Sequence, residues 1–193
     1  FSMVGSSSSH AERHMANAAK KSGVTQTIIE ANVAEDGTVT LKGTIQKDAV
    51  NPIVLVNFDN NWGASTQDQS NYAYAVVKAL QDTYEITEMN MVGHSYGNIA
   101  IVYYMLQHGS DTSLPKLVKQ VDIPGHFNGI IGMDEPEENS LDGEGKPTSM
   151  TGSYEDSCLL ETTILKDKLK SSTSMAIQVK RVMSAWPIYP VNP

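Results

Sequence analysis

The residues whose types and spacing best suit chemistry are Gly93-His94-Ser95-Tyr96-Gly97. A serine hydroxyl is a weak nucleophile until a base takes its proton and a donor stabilises the oxyanion that its attack creates. A sharp turn between a strand and a helix meets the second need, because it thrusts the hydroxyl clear of the sheet. The backbone N–H of the following residue, Tyr96, then lies at the positive end of the helix dipole. Gly93 and Gly97 suit that turn, since a side chain at either would run into the neighbouring strand or helix. Two glycines around a serine also arise by chance, so the context decides. Met89, Met91 and Val92 precede the run as an apolar strand, and Ile99, Ile101, Val102, Tyr104, Met105 and Leu106 follow it at helical spacing. The expected roles are therefore Ser95 as nucleophile, Tyr96 as oxyanion donor, and Gly93, His94 and Gly97 as the rest of the elbow.

Other side chains able to do chemistry read more plainly. His94 sits beside the nucleophile and reads as a packing or hydrogen-bonding residue rather than the base. His10 and His14 have a spacing that can hold a metal, but no third ligand lies near them, so a solvated helix face is the better reading. His108 reads as a cation near a helix C-terminus. His126, after Pro124-Gly125, is placed in a loop downstream of Ser95, yet the usual order puts an acid between the serine and the histidine. Asp134, Glu135, Glu137 and Glu138 lack the ordered spacing of a calcium loop and read as a solvated segment. No G-x-G-x-x-G run follows the first strand, which disfavours a nucleotide binder. Neither a metal nor a cofactor is expected.

The elements that must position Ser95 alternate along the chain. A helix is expected from His10 to Lys21, capped by Ser8 or Ser9 and stopped at Gly23. Thr25 to Val33 and Thr38 to Gly43 read as an antiparallel hairpin across Glu35-Asp36-Gly37, followed by a strand over Pro52 to Phe58. A helix over Gln69–Thr83, a strand over Glu85–Val92, a helix over Gly97–His108 and a strand over Leu117–Ile123 complete the alternation. Residues 132–154 shift to Glu, Asp, Gly, Ser and Pro and read as a loop or lid, and a further helix is expected over Tyr154–Lys170. Alternating strands and helices predict one α/β domain over 1–193, with a mostly parallel sheet, helices on both faces and an N-terminal hairpin insertion.

Composition narrows the function classes. With 193 residues, 40% of them hydrophobic, the chain can bury a sizeable core. A formal net charge of −8 argues against nucleic acid and against docking on an anionic lipid surface, but not against a neutral ester. The single cysteine, Cys158, excludes an internal disulfide and reads as a half-buried thiol. No apolar run approaches the roughly 20 residues needed to cross a bilayer.

Taken together, several motifs resemble a family of Gram-positive cell-surface α/β-hydrolases of unknown substrate. They are Glu12-Arg13-His14-Met15, Thr38-Val39-Thr40-Leu41-Lys42-Gly43, Asn51-Pro52-Ile53-Val54, Val92 to Asn98, Tyr103-Tyr104-Met105-Leu106, Ser113 to Leu117 and Gly125-His126-Phe127-Asn128-Gly129. The resemblance runs over about residues 6–168 and implies a serine hydrolase of esterase or lipase type, at the cell surface or outside the cell. Its substrate would be a small-molecule or lipid ester. The alternative is a non-catalytic surface-binding module that keeps the fold.

At both ends the chain departs from that family. Before Ser6 the family has a strand ending in His-Gly-aromatic, which supplies a second oxyanion donor; here the residues are Phe1-Ser2-Met3-Val4-Gly5. After Lys170 it has a strand running into Tyr-Gly-Asp, where the acid sits, and later a terminal histidine; here stand Ser174-Met175-Ala176-Ile177 and a tail to Pro193. Read in one shifted frame, Met3-Val4 and Met175-Ala176 both encode glycine, with neighbours that permit the two missing motifs. The expectation is that both ends are frame-shifted, that residues 171–193 form an atypical tail and that the sheet lacks its last strands. The chain as written then has no assignable acid or base and turns over little substrate.

Overall fold

The structure is a computed structural model that describes residues 2–4, 10–60, 64–123, 127–128, 138–143 and 146–159. Contacts divide the chain into two units, Phe1–His126 and Phe127–Pro193.

In the first unit, strands form where apolar side chains repeat every second residue. β2 (Ile28–Val33) buries Ile29, Ala31 and Val33, and β5 (Glu88–His94) buries Met89, Met91 and Gly93. β4 (Ile53–Phe58) buries Val54, Leu55, Val56 and Phe58, the near-continuous run of a strand covered on both faces. β3 (Val39–Lys42) pairs antiparallel with β2, as the hairpin reading predicts. β6 (Lys116–Ile123) lies parallel to β5.

One strand escapes the sequence reading. β1 (Ser2–Val4) pairs parallel with both β4 and β5. A slot between two strands offers backbone partners on both sides, so three residues with no pattern of their own suffice to fill it. The six-stranded sheet runs β3-β2-β4-β1-β5-β6, with only β3 antiparallel.

Three helices of this unit cover the sheet: α1 (His10–Lys21), α2 (Thr66–Tyr84) and α3 (Gly97–His108). α2 starts before the expected Gln69 because Ser65 and Asp68 form a reciprocal capping box. It buries Tyr72, Ala73, Val76, Val77 and Leu80, and it packs on α3, which buries Ile99 to Val102 and Tyr104. Gly93 approaches α3 at Asn98, whereas the next residue, His94, contacts α1 at Glu12. Successive strand residues point to opposite faces, so α1 and α3 lie on opposite sides of the sheet.

The order also fixes where a site belongs. β1 and β5 are neighbours, yet the chain leaving β1 goes on to β2 on one side and the chain leaving β5 goes on to β6 on the other. Such a switch point opens a crevice at the carboxyl ends of the two strands. Val4 and His94 are register partners there, and Ser95 comes next.

The second unit is described only in parts. Leu141 and Pro147 form an isolated antiparallel bridge, and the Asn128 and Asn139 amides both donate to the Ser149 carbonyl. Residues 152–159 are helical, with Ser153 donating to the Phe127 carbonyl at 3.0 Å and Cys158 half-buried. The remainder of the expected 154–170 helix, the acidic residues 134–137, His126 and the 171–193 tail lie outside the described residues.

Candidate functional site

β5 does not stop at Val92 but runs on to His94, and α3 begins at Gly97, so the reversal between them is confined to Ser95 and Tyr96. Turning that sharply puts Ser95 in the left-handed region, at φ 52°. For a residue with a Cβ that conformation is costly and persists only where its surroundings hold it.

Those surroundings are visible on one side. The Ser95 N–H donates to the Ile123 carbonyl at 3.0 Å, which extends the β5–β6 ladder around the corner. The Ser95 carbonyl accepts from the Asn98 backbone N–H at 3.2 Å and from its side-chain amide at 2.8 Å. The same amide donates to the Ile123 carbonyl at 3.0 Å. Asn98 is fully buried and its Oδ1 has no hydrogen-bond partner, so its whole donor capacity serves the turn. Gly93 makes room for it: a Cβ there would overlap Asn98 Oδ1 and stand 2.9 Å from Asn98 Cα.

On the other side His94 Nδ1 lies 2.6 Å from Glu12 Oε1. The Glu12 side chain is wholly buried, while about a third of the His94 side chain is exposed. A carboxylate can only accept, so with Glu12 in that form the bond is one that Nδ1–H donates. Glu12 lies in the first turn of α1, where the helix dipole also favours its negative charge. His94 is thus hydrogen-bonded to Glu12, a partner that the sequence reading did not single out.

Tyr96 precedes α3 with αR backbone angles, and its side chain is exposed. Among the described residues no acceptor takes its backbone N–H and no side chain bonds the Ser95 hydroxyl. Gly97 is buried at the start of the helix. A half-buried serine beside a backbone N–H at a helix N-terminus could bind a carbonyl oxygen there, and attack would need a base in addition.

Beside this turn lies an acid that the sequence reading did not single out. Asp122 is the register partner of Gly93; burial pushes its carboxyl above the ordinary 3.8, partly offset by a 2.8 Å bond from Gln120. His108, read as a cation, is instead stacked on Tyr74 with ring centroids 4.5 Å apart, and burial lowers its pKa, which disfavours the charged form. His14 lies on α1, and no group of metal-binding side chains occurs among the described residues. No helix among them is long and apolar enough to cross a membrane.

Comparison with known proteins bears on the family and the fold. A family model described as "Alpha/beta hydrolase of unknown function" matches residues 3–175. The product of gene lin2722 from Listeria innocua superposes with a TM-score of 0.70 at 24% identity, over 83% of this chain and 63% of that one. A Lactobacillus plantarum WCFS1 protein described as a putative cell surface hydrolase superposes with a TM-score of 0.65 at 20% identity, over 83% of this chain and 61% of that one. The chain therefore spans less than two thirds of either protein's length. Among curated proteins none matches significantly.

Proposed function

The chain belongs to the alpha/beta hydrolase family of unknown function, and from that premise we propose that it is a serine hydrolase of esterase or lipase type. The observation that carries the reading is the φ of 52° at Ser95, on a two-residue corner between a parallel strand and a helix. Left-handed backbone at a residue other than glycine is strain, and strain of this kind collects where a side chain must be aimed.

In this reading Ser95 Oγ attacks the ester carbonyl carbon and gives its proton to a general base. The carbonyl oxygen becomes an oxyanion that accepts from the Tyr96 N–H. Collapse of the tetrahedral species breaks the bond to the alcohol, which leaves with a proton, and water then hydrolyses the acyl-enzyme by the same route. Neither the base nor its acid partner is assigned to a described residue. The substrate is a small-molecule or lipid ester. The description of the Lactobacillus plantarum relative supports a place at the cell surface.

A fluorophosphonate probe applied to the protein tests the assignment. Mass spectrometry is expected to find the adduct on Ser95 and to find none in Ser95→Ala. Absence of a Ser95 adduct would overturn the proposal.

A further inference from the structure

Glu12 is an acid in the first turn of a helix, a place where such residues normally face water. Here it is wholly buried, one oxygen bonded to His94 and the other without a hydrogen-bond partner. Burying a carboxylate with a single partner is costly. The position of its partner gives the arrangement a purpose. His94 is the last residue of β5 and directly precedes Ser95, whose backbone is strained.

The corner has two flanks. Asn98 and Ile123 hold Ser95 from the α3 face and from β6, through bonds to its carbonyl and N–H. No equivalent bond reaches Ser95 from the α1 face among the described residues. On that face, among the described residues, the corner is tied by the neighbouring side chain, from His94 to Glu12, across 82 residues of sequence. The same contact ties the start of α1 to the end of β5, beside the point where β1 and β5 are in register at Val4 and His94.

We propose that Glu12 and His94 form a positioning pair that clamps the corner from the α1 face and so aims the Ser95 hydroxyl. Neither residue touches the reacting atoms. The proposal rests on Ser95 being the nucleophile, and its test separates the two claims. An apolar pair, Glu12→Leu with His94→Phe, fills the space without the hydrogen bond; replacing a buried charged group and its partner by apolar side chains of similar volume is often neutral or stabilising. The variant is expected to keep its melting temperature within about 3 °C. Ser95 labelling by the fluorophosphonate is expected to slow by about tenfold or more at saturating probe, with the half-saturating concentration little changed.

Backbone hydrogen exchange is expected to rise over residues 92–98 and to stay unchanged over 66–84, a readout that needs no catalysis. Glu12→Gln keeps an acceptor for Nδ1–H and is expected to restore labelling to within about threefold of the parent. Wild-type labelling and exchange in the apolar pair overturn the proposal, as does slowing that only follows a loss of stability across the whole fold. If no serine is labelled in the parent protein, the nucleophile reading fails, while local exchange over 92–98 still decides the clamp.

Discussion

Gly93 and Asn98 approach so closely that a methyl group on Gly93 would lie 2.9 Å from the Asn98 Cα and overlap its side-chain oxygen. The contact lets the end of β5 pass directly under the first turn of α3, which is what makes a two-residue corner feasible. Gly93→Ala is therefore expected to destabilise the protein by about 1–3 kcal/mol, since backbone on both sides has to shift. Urea denaturation of the parent and variant measures it. An unchanged midpoint would show that α3 can yield without cost.

Asn98 holds the corner by giving both amide hydrogens to carbonyls, one on Ser95 and one on Ile123. Asn98→Ala leaves those carbonyls buried without that donor and is expected to cost about 1–3 kcal/mol. Asn98→Asp is expected to be worse at neutral pH, because an ionised carboxylate offers two acceptors to two acceptors. Its deficit is expected to shrink on acidification, when the carboxyl takes a proton and donates once. Thermal denaturation at two pH values distinguishes these outcomes.

Much of the frame is legible in the sequence because its causes are local. β2 and β5 bury every second residue and α3 starts and stops at glycines, so period and punctuation reveal them. β1 is hidden because Ser2-Met3-Val4 carries no pattern, and its place is imposed by the ladders of β4 and β5. Glu12 is hidden for a related reason: an acid in a first turn looks solvated until a histidine far along the chain is brought to it. His108 looks like a helix-end cation until Tyr74, on another helix, stacks on it. In each case the deciding partner is distant in sequence. A buried polar residue directly after Gly97 was the available signal for Asn98, where an apolar core position would ordinarily stand.

The strain at Ser95 is measurable by substitution. At a φ of 52° glycine pays no Cβ penalty, whereas alanine keeps it. Ser95→Gly is expected to be more stable than Ser95→Ala by about 1 kcal/mol, although glycine lowers stability at most positions by loosening the unfolded chain. Both variants are expected to lose fluorophosphonate labelling. Equal or lower stability of the glycine variant in calorimetry would argue that the corner holds no strain.

Asp122 offers a prediction in pH. Burial raises its folded-state pKa above the ordinary 3.8, with the bond from Gln120 as a smaller opposing influence. The native state therefore keeps this proton at pH values where the unfolded chain has lost it. Stability from this group is full below the unfolded pKa and is lost as pH rises through the folded one. Asp122→Asn removes the charge but keeps an acceptor for Gln120, whose amide lies 2.8 Å from the carboxylate oxygen. The variant is expected to be more stable than the parent at pH 7 and to lose that advantage as pH falls to 3.8 and below. Melting temperatures across that range check the sign. A variant less stable at pH 7 would mean that the ionised carboxylate is stabilised by its surroundings and that burial does not dominate.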